Sequence, residues 1–337
     1  MTTVGTKPTP ERFFDMAFAF ERTAAIKTAV DLEVFSVIGE GADTAAAVAK
    51  KCGASERGTR ILCDFLTING LLTKTGNRYQ LTQDSAAFLT KSSPMYLGGT
   101  LRFLASPDVI GNFDNLTETV RRGTVTPEDN HVAGVEQDLW VNFAKAMVPM
   151  MMPAALGIAD ALQITSAGPV RVLDIAAGHG IFGVVLAQQN PRAEIVAVDW
   201  PGVLAVAADN ARKAGVHDRY RTLPGDAFKV DYGSGYDIAL LTNFLHHYDI
   251  PTCTVLLRRV AAALKPGGRA VILEFVPNED RVSPPIPAGF SLMMLSGTPA
   301  GDAYTLAELQ AMTREAGFKG VTTHALPTPE TVVIATK

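Results

Sequence analysis

The chain has 337 residues, of which 47% are hydrophobic and 19% charged, and its formal net charge is −4. This length allows two domains with a large core, and the mildly acidic balance gives no charge pattern for binding nucleic acid or an anionic membrane. The three cysteines form no C-x-x-C pair, so neither a disulfide framework nor a metal site is indicated. The N-terminus lacks a secretory signal pattern, and no apolar stretch is long enough to span a bilayer, so we expect a cytoplasmic protein.

The N-terminal part of the chain predicts a winged helix. Residues 10–38 and 55–70 show the apolar spacing of helices, and a Gly76-Asn77 turn then joins two short runs that read as a β-hairpin. Between residues 50 and 84, six basic residues stand against three acidic ones, a small surplus for a face that binds duplex DNA. We therefore predict a dimerisation domain over residues 1–100, with DNA binding as the weaker alternative.

Residues 101–167 predict a mostly helical linker with a stripe of large apolar side chains. Trp140, Phe143, Ala144 and Met147 recur at helical spacing. Methionines fill irregular apolar space and adapt to flat ligands, so this stripe fits either a core between domains or the wall of a binding site.

From residue 168 to residue 337, predicted strands and helices alternate, which indicates an α/β domain with an open, mostly parallel sheet. In such sheets ligands bind outside the carboxyl ends of the strands. Five polar residues fall at these ends: Asp174, Asp199, Asp226, His246 and Glu274. Because chance would scatter polar residues along the strands, this convergence predicts a binding site at that edge of the sheet.

The first strand of this domain leads into a glycine turn. Gly178, Gly180 and Gly183 complete G-x-G-x-x-G, and Asp199 follows Gly178 by 21 residues, as in dinucleotide-binding proteins. Asp174, however, precedes the turn, and a carboxylate there would repel a pyrophosphate and attract a cation. S-adenosylmethionine carries an ammonium and a sulfonium and no phosphate, so the pattern favours this cofactor. NAD, and a turn whose glycines serve packing alone, stay as alternatives.

Taken together, these motifs resemble the small-molecule O-methyltransferases, a family that includes hydroxyindole, caffeate and bacterial polyketide O-methyltransferases. The resemblance extends from Phe13 to Thr336. It implies a Rossmann-like cofactor domain whose last strand, Thr331 to Ala335, is antiparallel, and a winged-helix domain that forms a homodimer. It also implies transfer of a methyl group from S-adenosylmethionine to a hydroxyl of a small, apolar, aromatic acceptor, with S-adenosylhomocysteine as product.

The resemblance further implies which residues form the site. Those expected at the cofactor are Asp174, Gly178, Gly180, Asp199, Trp200, Gly225, Asp226, Ala227, Phe228, Thr242 and Asn243. Within this set, Asp199 would take the ribose hydroxyls, and Asp226 with Ala227 the adenine. Those expected to line the acceptor pocket are Phe143, Met147, Phe290, Met293, Met294 and Thr298.

His246 matches the position of the family's catalytic base, in a stretch that usually reads L-H-D-W and here reads Leu245-His246-His247-Tyr248. A phenol has a pKa near 10, so ionising it at pH 7 costs roughly 4 kcal/mol, and a neutral imidazole can take the proton as attack proceeds. His247 is interpreted as a bystander.

Glu274 matches a family glutamate that steers the base, whereas the position of a second such glutamate holds Ala303. Either Asp302 substitutes for it or the base is held differently. This departure leaves open a relative that methylates carbon or nitrogen or does not methylate. The predicted winged helix leaves open a further alternative, a regulator that senses S-adenosylmethionine without using it.

Overall fold

The computed structural model describes residues 8–125 and 137–337. Contacts within the chain divide it into two compact units, Met1–Ala105 and Ser106–Lys337. Most of the predicted linker over residues 101–167 therefore belongs to the second unit, and its residues 126–136 lie outside the described residues. The division into three parts stays a prediction.

The helices of the described residues are α1 (Glu11–Ala17), α2 (Ala19–Asp31), α3 (Val34–Gly39), α4 (Ala45–Cys52), α5 (Glu56–Ile68), α6 (Gln83–Phe88), α7 (Leu101–Leu104), α8 (Pro107–Gly111), α9 (Leu116–Arg122), α10 (Gln137–Ala146), α11 (Val148–Ala161), α12 (Ile181–Gln189), α13 (Pro201–Lys213), α14 (Ile250–Ala263), α15 (Pro285–Gly297) and α16 (Leu306–Glu315). The strands are β1 (Leu72–Thr75), β2 (Arg78–Leu81), β3 (Val170–Ile175), β4 (Ala193–Asp199), β5 (Tyr220–Pro224), β6 (Tyr236–Thr242), β7 (Leu264–Glu274), β8 (Gly320–Ala325) and β9 (Thr331–Thr336).

The first unit has the predicted arrangement of helices followed by a hairpin. β1 and β2 pair antiparallel around the Gly76-Asn77 turn, as expected. The side chains of Thr44 and Ser55 accept backbone N–H groups at the starts of α4 and α5, which satisfies helix donors that otherwise have no partner. The single helix predicted over residues 10–38 is wrong, because Glu33 adopts a left-handed backbone (φ 59°) that separates α2 from α3.

Carboxylates pair with four of the six basic side chains that were weighed for DNA binding. Arg60 and Lys74 both contact Asp64, at 2.9 and 2.5 Å. Lys51 pairs with Glu40 at 3.3 Å, and Arg78 pairs with Asp43. These pairs reduce the positive potential of the hairpin region; that the domain binds no nucleic acid stays a prediction.

The second unit is built on a seven-stranded sheet with the order β5-β4-β3-β6-β7-β9-β8. The five strands β5, β4, β3, β6 and β7 each pair in parallel with their neighbours in this order. β9 pairs antiparallel with β7 and β8, which confirms the predicted α/β fold and its antiparallel last strand. The central strands are buried on both faces, as is usual when helices cover a parallel sheet. The carboxyl ends of β3, β4, β6 and β7 therefore meet at one edge.

Among the described residues, no single helix is long and apolar enough to cross a membrane. The segment Asp138–Ala146 and α11 meet that test of length and composition only as a pair, and they are bent by 69°.

An apolar stripe lies exposed on the first unit around α1 and α2. Its members are large and show between 48% and 78% of their surface: Phe13, Phe14, Met16, Phe18 and Phe20. Phe14 and Phe18 stack with ring centroids 6.0 Å apart, so the stripe is partly organised within the unit. A contiguous exposed apolar surface of this kind marks an interaction site.

We expect Phe13→Ser/Phe20→Ser to weaken self-association, because each aromatic ring buried in an interface stabilises it by about 1.5–3 kcal/mol. Analytical ultracentrifugation over a range of concentrations should show a dimer dissociation constant raised by about tenfold or more. Val282→Ser, which changes an equally exposed side chain (73%) of the second unit, is the matched control. Equal dissociation constants for both variants would contradict the expectation that this stripe lies in the dimer interface predicted from the sequence.

Candidate active site

A short helical turn, Leu245–His247, follows β6 and is held by the carboxylate at the end of β7. Oε1 of Glu274 accepts the backbone N–H groups of Phe244, Leu245 and His246 at 3.1, 2.8 and 3.3 Å. A helical turn begins with N–H groups that lack a partner, and the carboxylate supplies one. Glu274 is 2% exposed, so these bonds offset the cost of burying its charge.

The same carboxylate orients the imidazole of His246. Nδ1 of His246 donates to Oε2 of Glu274 at 2.5 Å, and the histidine is 5% exposed. With its proton on Nδ1, the neutral ring keeps a free electron pair on Nε2. The edge of the Phe290 ring lies against the imidazole, with centroids 4.9 Å apart, and Phe275 stacks on Phe290 at 4.2 Å. The structure thus brings together three residues that were predicted separately: His246, Glu274 and Phe290.

His247 is packed among aromatic rings beside the base. Its ring centroid is 4.3 Å from that of His246 and 5.4 Å from that of Trp140. Burial, and then the neighbouring His246, lower the pKa of His247 well below its ordinary value, and its Nδ1 has no hydrogen-bond partner. His247 is therefore uncharged at neutral pH.

A second carboxylate organises the glycine turn. Oδ2 of Asp199 accepts the N–H of Gly178 at 2.8 Å, and Oδ1 accepts the N–H of Trp200 at 2.7 Å. Gly178 and Gly180 adopt left-handed backbone with φ 57° and 71°, which glycine allows at little cost. The predicted cofactor residues of this turn do come together, and Asp199 fixes the start of α13 as well as the turn.

Asp174 differs from the expectation that it is a charged group at the site. It is fully buried beneath the turn, beside Gly183 of α12. Burial, and then the carboxylate of Asp199, raise the pKa of Asp174 to about 8, although the N–H of Gly183 acts against them. Neither carboxyl oxygen has a hydrogen-bond partner of normal geometry. The isolated carboxyl group is thus largely protonated at pH 7, because burial disfavours its charge.

Helix α10 runs past both the glycine turn and the base. A ring carbon of Phe143 lies 3.9 Å from where a Cβ on Gly178 would be, and Phe143 stacks on His179 with centroids 6.2 Å apart. Trp140 contacts Phe143 at 5.9 Å, and it also contacts His247. The predicted apolar stripe of α10 therefore connects the two polar parts of the site.

The loop after β5 carries the residues predicted for adenine. The N–H of Gly225 donates to the carbonyl of Asp199 at 3.0 Å, which joins this loop to the glycine turn. Oδ1 of Asp226 accepts the N–H of Phe228 at 2.8 Å. Burial acts to raise the pKa of Asp226, but the hydrogen bonds from Lys229 and Phe228 outweigh it and the pKa is lowered. Ala227 lies between these residues, half-buried.

Thr242 and Asn243 end β6 next to the base. Thr242 is buried, and Asn243 adopts a left-handed backbone (φ 53°) with its N–H bonded to the carbonyl of Leu273 at 2.8 Å. The side-chain nitrogen of Asn243 donates to the sulfur of Met151 at 3.5 Å, and its Oδ1 is buried without a partner. This oxygen is an available acceptor at the end of the strand beside β3.

The residues predicted for the acceptor wall have different environments. Met147 and Met294 are buried, at 3% and 6% exposure, whereas Met293 is 36% exposed. Oγ1 of Thr298 donates to the carbonyl of Met294 at 2.7 Å and accepts the N–H of Gly301 at 2.8 Å. The Thr298 hydroxyl thus stabilises its own turn.

Sequence reasoning missed several contacts that shape the site. Tyr220, at the start of β5, reaches beneath the glycine turn, so that a Cβ on Gly180 would lie 2.4 Å from its hydroxyl. His179 is 2% exposed, and burial lowers its pKa to about 4. Tyr304 donates a hydrogen bond to the carbonyl of Tyr248. Only His179 had a signal in the sequence, namely its position between two glycines.

Among the described residues, no cluster of three or more histidine, cysteine, aspartate or glutamate side chains could hold a metal ion. A cleft of about 440 Å³ lies between α10 and α13, lined by Val141, Ala144, Lys145, Val148, Gly202, Ala205, Val206, Asp209, Asn210 and Lys213. None of the predicted site residues lines it. The candidate site lies at the strand ends instead, because the His246–Glu274 pair and the glycine turn lie there.

Comparison with known proteins identifies the class that this fold and site define. The O-methyltransferase domain family matches residues 141–319, and the O-methyltransferase dimerisation domain matches residues 14–91. The chain belongs to the O-methyltransferase family, which confirms the resemblance inferred from its motifs.

Individual relatives agree with this assignment. A crystal structure of a protein from Nostoc punctiforme is 47% identical to this chain, covers 98% of this chain and 100% of its own, and has a TM-score of 0.95. The 3-hydroxy-5-methyl-1-naphthoate 3-O-methyltransferase of Streptomyces sahachiroi is 29% identical over 95% of this chain and 92% of its own. Human N-acetylserotonin methyltransferase, solved with S-adenosylmethionine, shares the fold at 23% identity, with a TM-score of 0.83 and coverage of 100% and 99%.

We expect Gly180→Ala to destabilise the protein more than Gly215→Ala does. Both glycines have nearly the same backbone, φ 71° and 72°, so the conformational cost is shared. An added Cβ at residue 180 would lie 2.4 Å from the hydroxyl of Tyr220 and 2.8 Å from Cβ of Ala207, whereas residue 215 has nothing within 4 Å. Overpacking of this kind costs about 1–3 kcal/mol, which urea denaturation can measure. Because Tyr220→Phe removes the crowded hydroxyl, Gly180→Ala/Tyr220→Phe should recover part of the lost free energy of unfolding. Equal losses for Gly180→Ala and Gly215→Ala would contradict the crowding at residue 180.

The raised pKa of Asp174 predicts a pH-dependent stability. Between its ordinary pKa of 3.8 and about 8, the folded chain keeps a proton that the unfolded chain releases, so raising the pH destabilises the folded state over this interval. Asp174→Asn removes this titration. Urea denaturation should therefore show the variant gaining stability relative to the unmodified chain as pH rises from about 4 to about 8, with no further gain above. A difference independent of pH would contradict the burial-induced shift.

Proposed function

We propose that the protein transfers a methyl group from S-adenosylmethionine to a hydroxyl of a small, apolar, aromatic acceptor, with His246 as general base. The observation that carries this proposal is the buried bond from Nδ1 of His246 to Glu274, which leaves Nε2 as a proton acceptor. Membership of the O-methyltransferase family supports the reaction type.

The buried polar groups at the strand ends fit S-adenosylmethionine. The carboxyl group of Asp174 and Oδ1 of Asn243 are buried without hydrogen-bond partners of normal geometry, on the neighbouring strands β3 and β6. A ligand that brings N–H donors and a positive charge suits these groups, and it would lower the cost of ionising Asp174. When bound, S-adenosylmethionine supplies an electrophilic methyl group on a sulfonium.

His246 provides the proton acceptor that the nucleophile needs. Nε2 takes the proton of the acceptor hydroxyl as the oxygen attacks, and the imidazolium that forms is stabilised by the carboxylate of Glu274. Because Glu274 also bonds three N–H groups of the turn, the imidazole is fixed before substrate arrives. Phe290 borders the base, and Phe143 and Trp140 cover the path from the base to the glycine turn. These rings support a flat, apolar acceptor.

The N-terminal domain forms a homodimer in this proposal. The match of residues 14–91 to the dimerisation domain supports self-association, and the exposed aromatic stripe of α1 and α2 supplies an apolar surface for it. Apolar surface of this extent is a cost for a monomer in water, which pairing with a second copy removes.

The cofactor is tested first, by calorimetric titration of S-adenosylhomocysteine and of NAD into the purified protein. We expect micromolar binding of the former alone. Asp199→Ala should lose it, because the Gly178 and Trp200 N–H groups then lose their acceptor. Binding of NAD instead would overturn the cofactor assignment.

His246→Ala should lower methyl transfer at pH 7 by about 100- to 10,000-fold while leaving S-adenosylhomocysteine binding within about twofold. Activity should recover as the pH approaches the acceptor's own pKa of about 10, because an ionised phenol needs no base. Initial rates with methyl-labelled S-adenosylmethionine measure this, and His217→Ala, an exposed histidine at 57% side-chain exposure, is the control. Full activity of His246→Ala at pH 7 would sink the base assignment.

The position of the label in the product separates the related reactions. NMR of the purified product should place the labelled methyl on oxygen. A label on carbon or nitrogen would redirect the chemistry, and an unlabelled product would exclude methylation.

A further inference from the structure

The structure has no second carboxylate on the imidazole of His246 within the described residues, and other contacts hold the turn that carries this histidine. Ala303 occupies the expected position and is buried at 1% exposure. Its neighbour Asp302 pairs with Arg281 at 3.0 Å and accepts the N–H of Ala303 at 2.8 Å. Within residues 8–125 and 137–337, Glu274 is the one carboxylate hydrogen-bonded to His246. The base is therefore held differently, and Asp302 does not take the missing role.

The turn that carries His246 has two sides, and Glu274 bonds only the N–H side. On the carbonyl side, the thiol of Cys253 donates to the carbonyl of Leu245 at 3.2 Å. The hydroxyl of Tyr304 donates to the carbonyl of Tyr248, at the end of the turn. Cys253 and Tyr304 are 0% and 4% exposed, so water does not compete for these carbonyls.

The segment that carries Tyr304 also touches the middle of the turn. A Cβ on Gly301 would lie 2.1 Å from the carbonyl oxygen of His246, so the backbone of residue 301 packs directly on it. Arg281 fixes this segment from outside, through Asp302 and through Glu308 at 2.5 Å. The turn is therefore held between the carboxylate of Glu274 and the segment 301–304.

We propose that Tyr304 is a positioning residue for the base, acting through the carbonyl of Tyr248 in place of a second carboxylate on the imidazole. The catalytic meaning of this inference rests on His246 being the base, whereas the effect on the imidazole does not. Without the Tyr304 hydroxyl, the Tyr248 carbonyl keeps only the longer contact with the thiol of Cys253, at 3.6 Å. The end of the turn is then held less firmly, and the imidazole leaves its short bond to Glu274 more often. No proton passes through Tyr304.

Tyr304→Phe tests this by removing one oxygen from a buried ring. Tyr236→Phe is the matched control, because the Tyr236 hydroxyl also donates to a backbone carbonyl, that of Tyr232 at 2.8 Å, at the other end of β6. The readout is the downfield proton NMR signal of the His246 Nδ1–H, assigned by its absence in His246→Ala. We expect exchange of this proton with water to accelerate by about tenfold or more in Tyr304→Phe and to stay unchanged in Tyr236→Phe.

Equal exchange in the two tyrosine variants would overturn the proposal, whatever the activity of the protein. Methyl transfer supplies the second readout: kcat of Tyr304→Phe should fall about tenfold, with S-adenosylhomocysteine binding unchanged. If His246→Ala is fully active but the exchange result holds, the base assignment fails and the positioning of the imidazole stands. If His246→Ala is inactive and Tyr304→Phe behaves as Tyr236→Phe does, the positioning inference fails alone.

Discussion

The site depends on one buried carboxylate. Glu274 is almost inaccessible to water, and an ionised carboxylate there is tolerated only if several donors replace its hydration. The chain supplies four, three from the backbone of the turn after β6 and one from His246. Each donor is in place only if the turn is folded and the imidazole points inward. The cost of burying this charge therefore enforces the geometry of the base.

The same principle operates at the neighbouring strand ends. Asp199 accepts two backbone N–H groups and so fixes both the glycine turn and the start of α13. Asp199 and Glu274 each bind backbone N–H groups, and the turns that they fix determine where the nearby side chains lie. Phe143 and Trp140 of α10 contact the two turns in succession, so the glycine turn and the turn that carries His246 share one wall. Such a shared wall suits the proposed in-line transfer, whose rate would depend on fixed distances between nucleophile, methyl group and base.

The sequence predicted which end of the sheet holds the site, because a parallel sheet brings the carboxyl ends of its strands together. It could not predict where each side chain points. Asp174 lies at the expected strand end but beneath the turn, where burial keeps it protonated. The sequence of the strand does not show whether its last acidic side chain points into the site or beneath the turn. Thr298 was assigned to the acceptor, yet its hydroxyl is used by the turn that it begins. Tyr220 and Tyr304 act across long sequence separations, and nothing in their local sequence marks them.

Holding the turn by its backbone has a consequence for the chemistry. An imidazolium between two carboxylates belongs to a group with a net negative charge, which strongly favours the protonated base. Here His246 bonds one carboxylate, so the pair becomes neutral overall when the proton arrives. Before the proton arrives, the pair carries one negative charge, which the three backbone N–H groups of the turn stabilise. In the proposed reaction, one carboxylate stabilises the imidazolium less than two would, so proton transfer would rely more on the acidity of the acceptor, which fits a phenolic hydroxyl better than an aliphatic one.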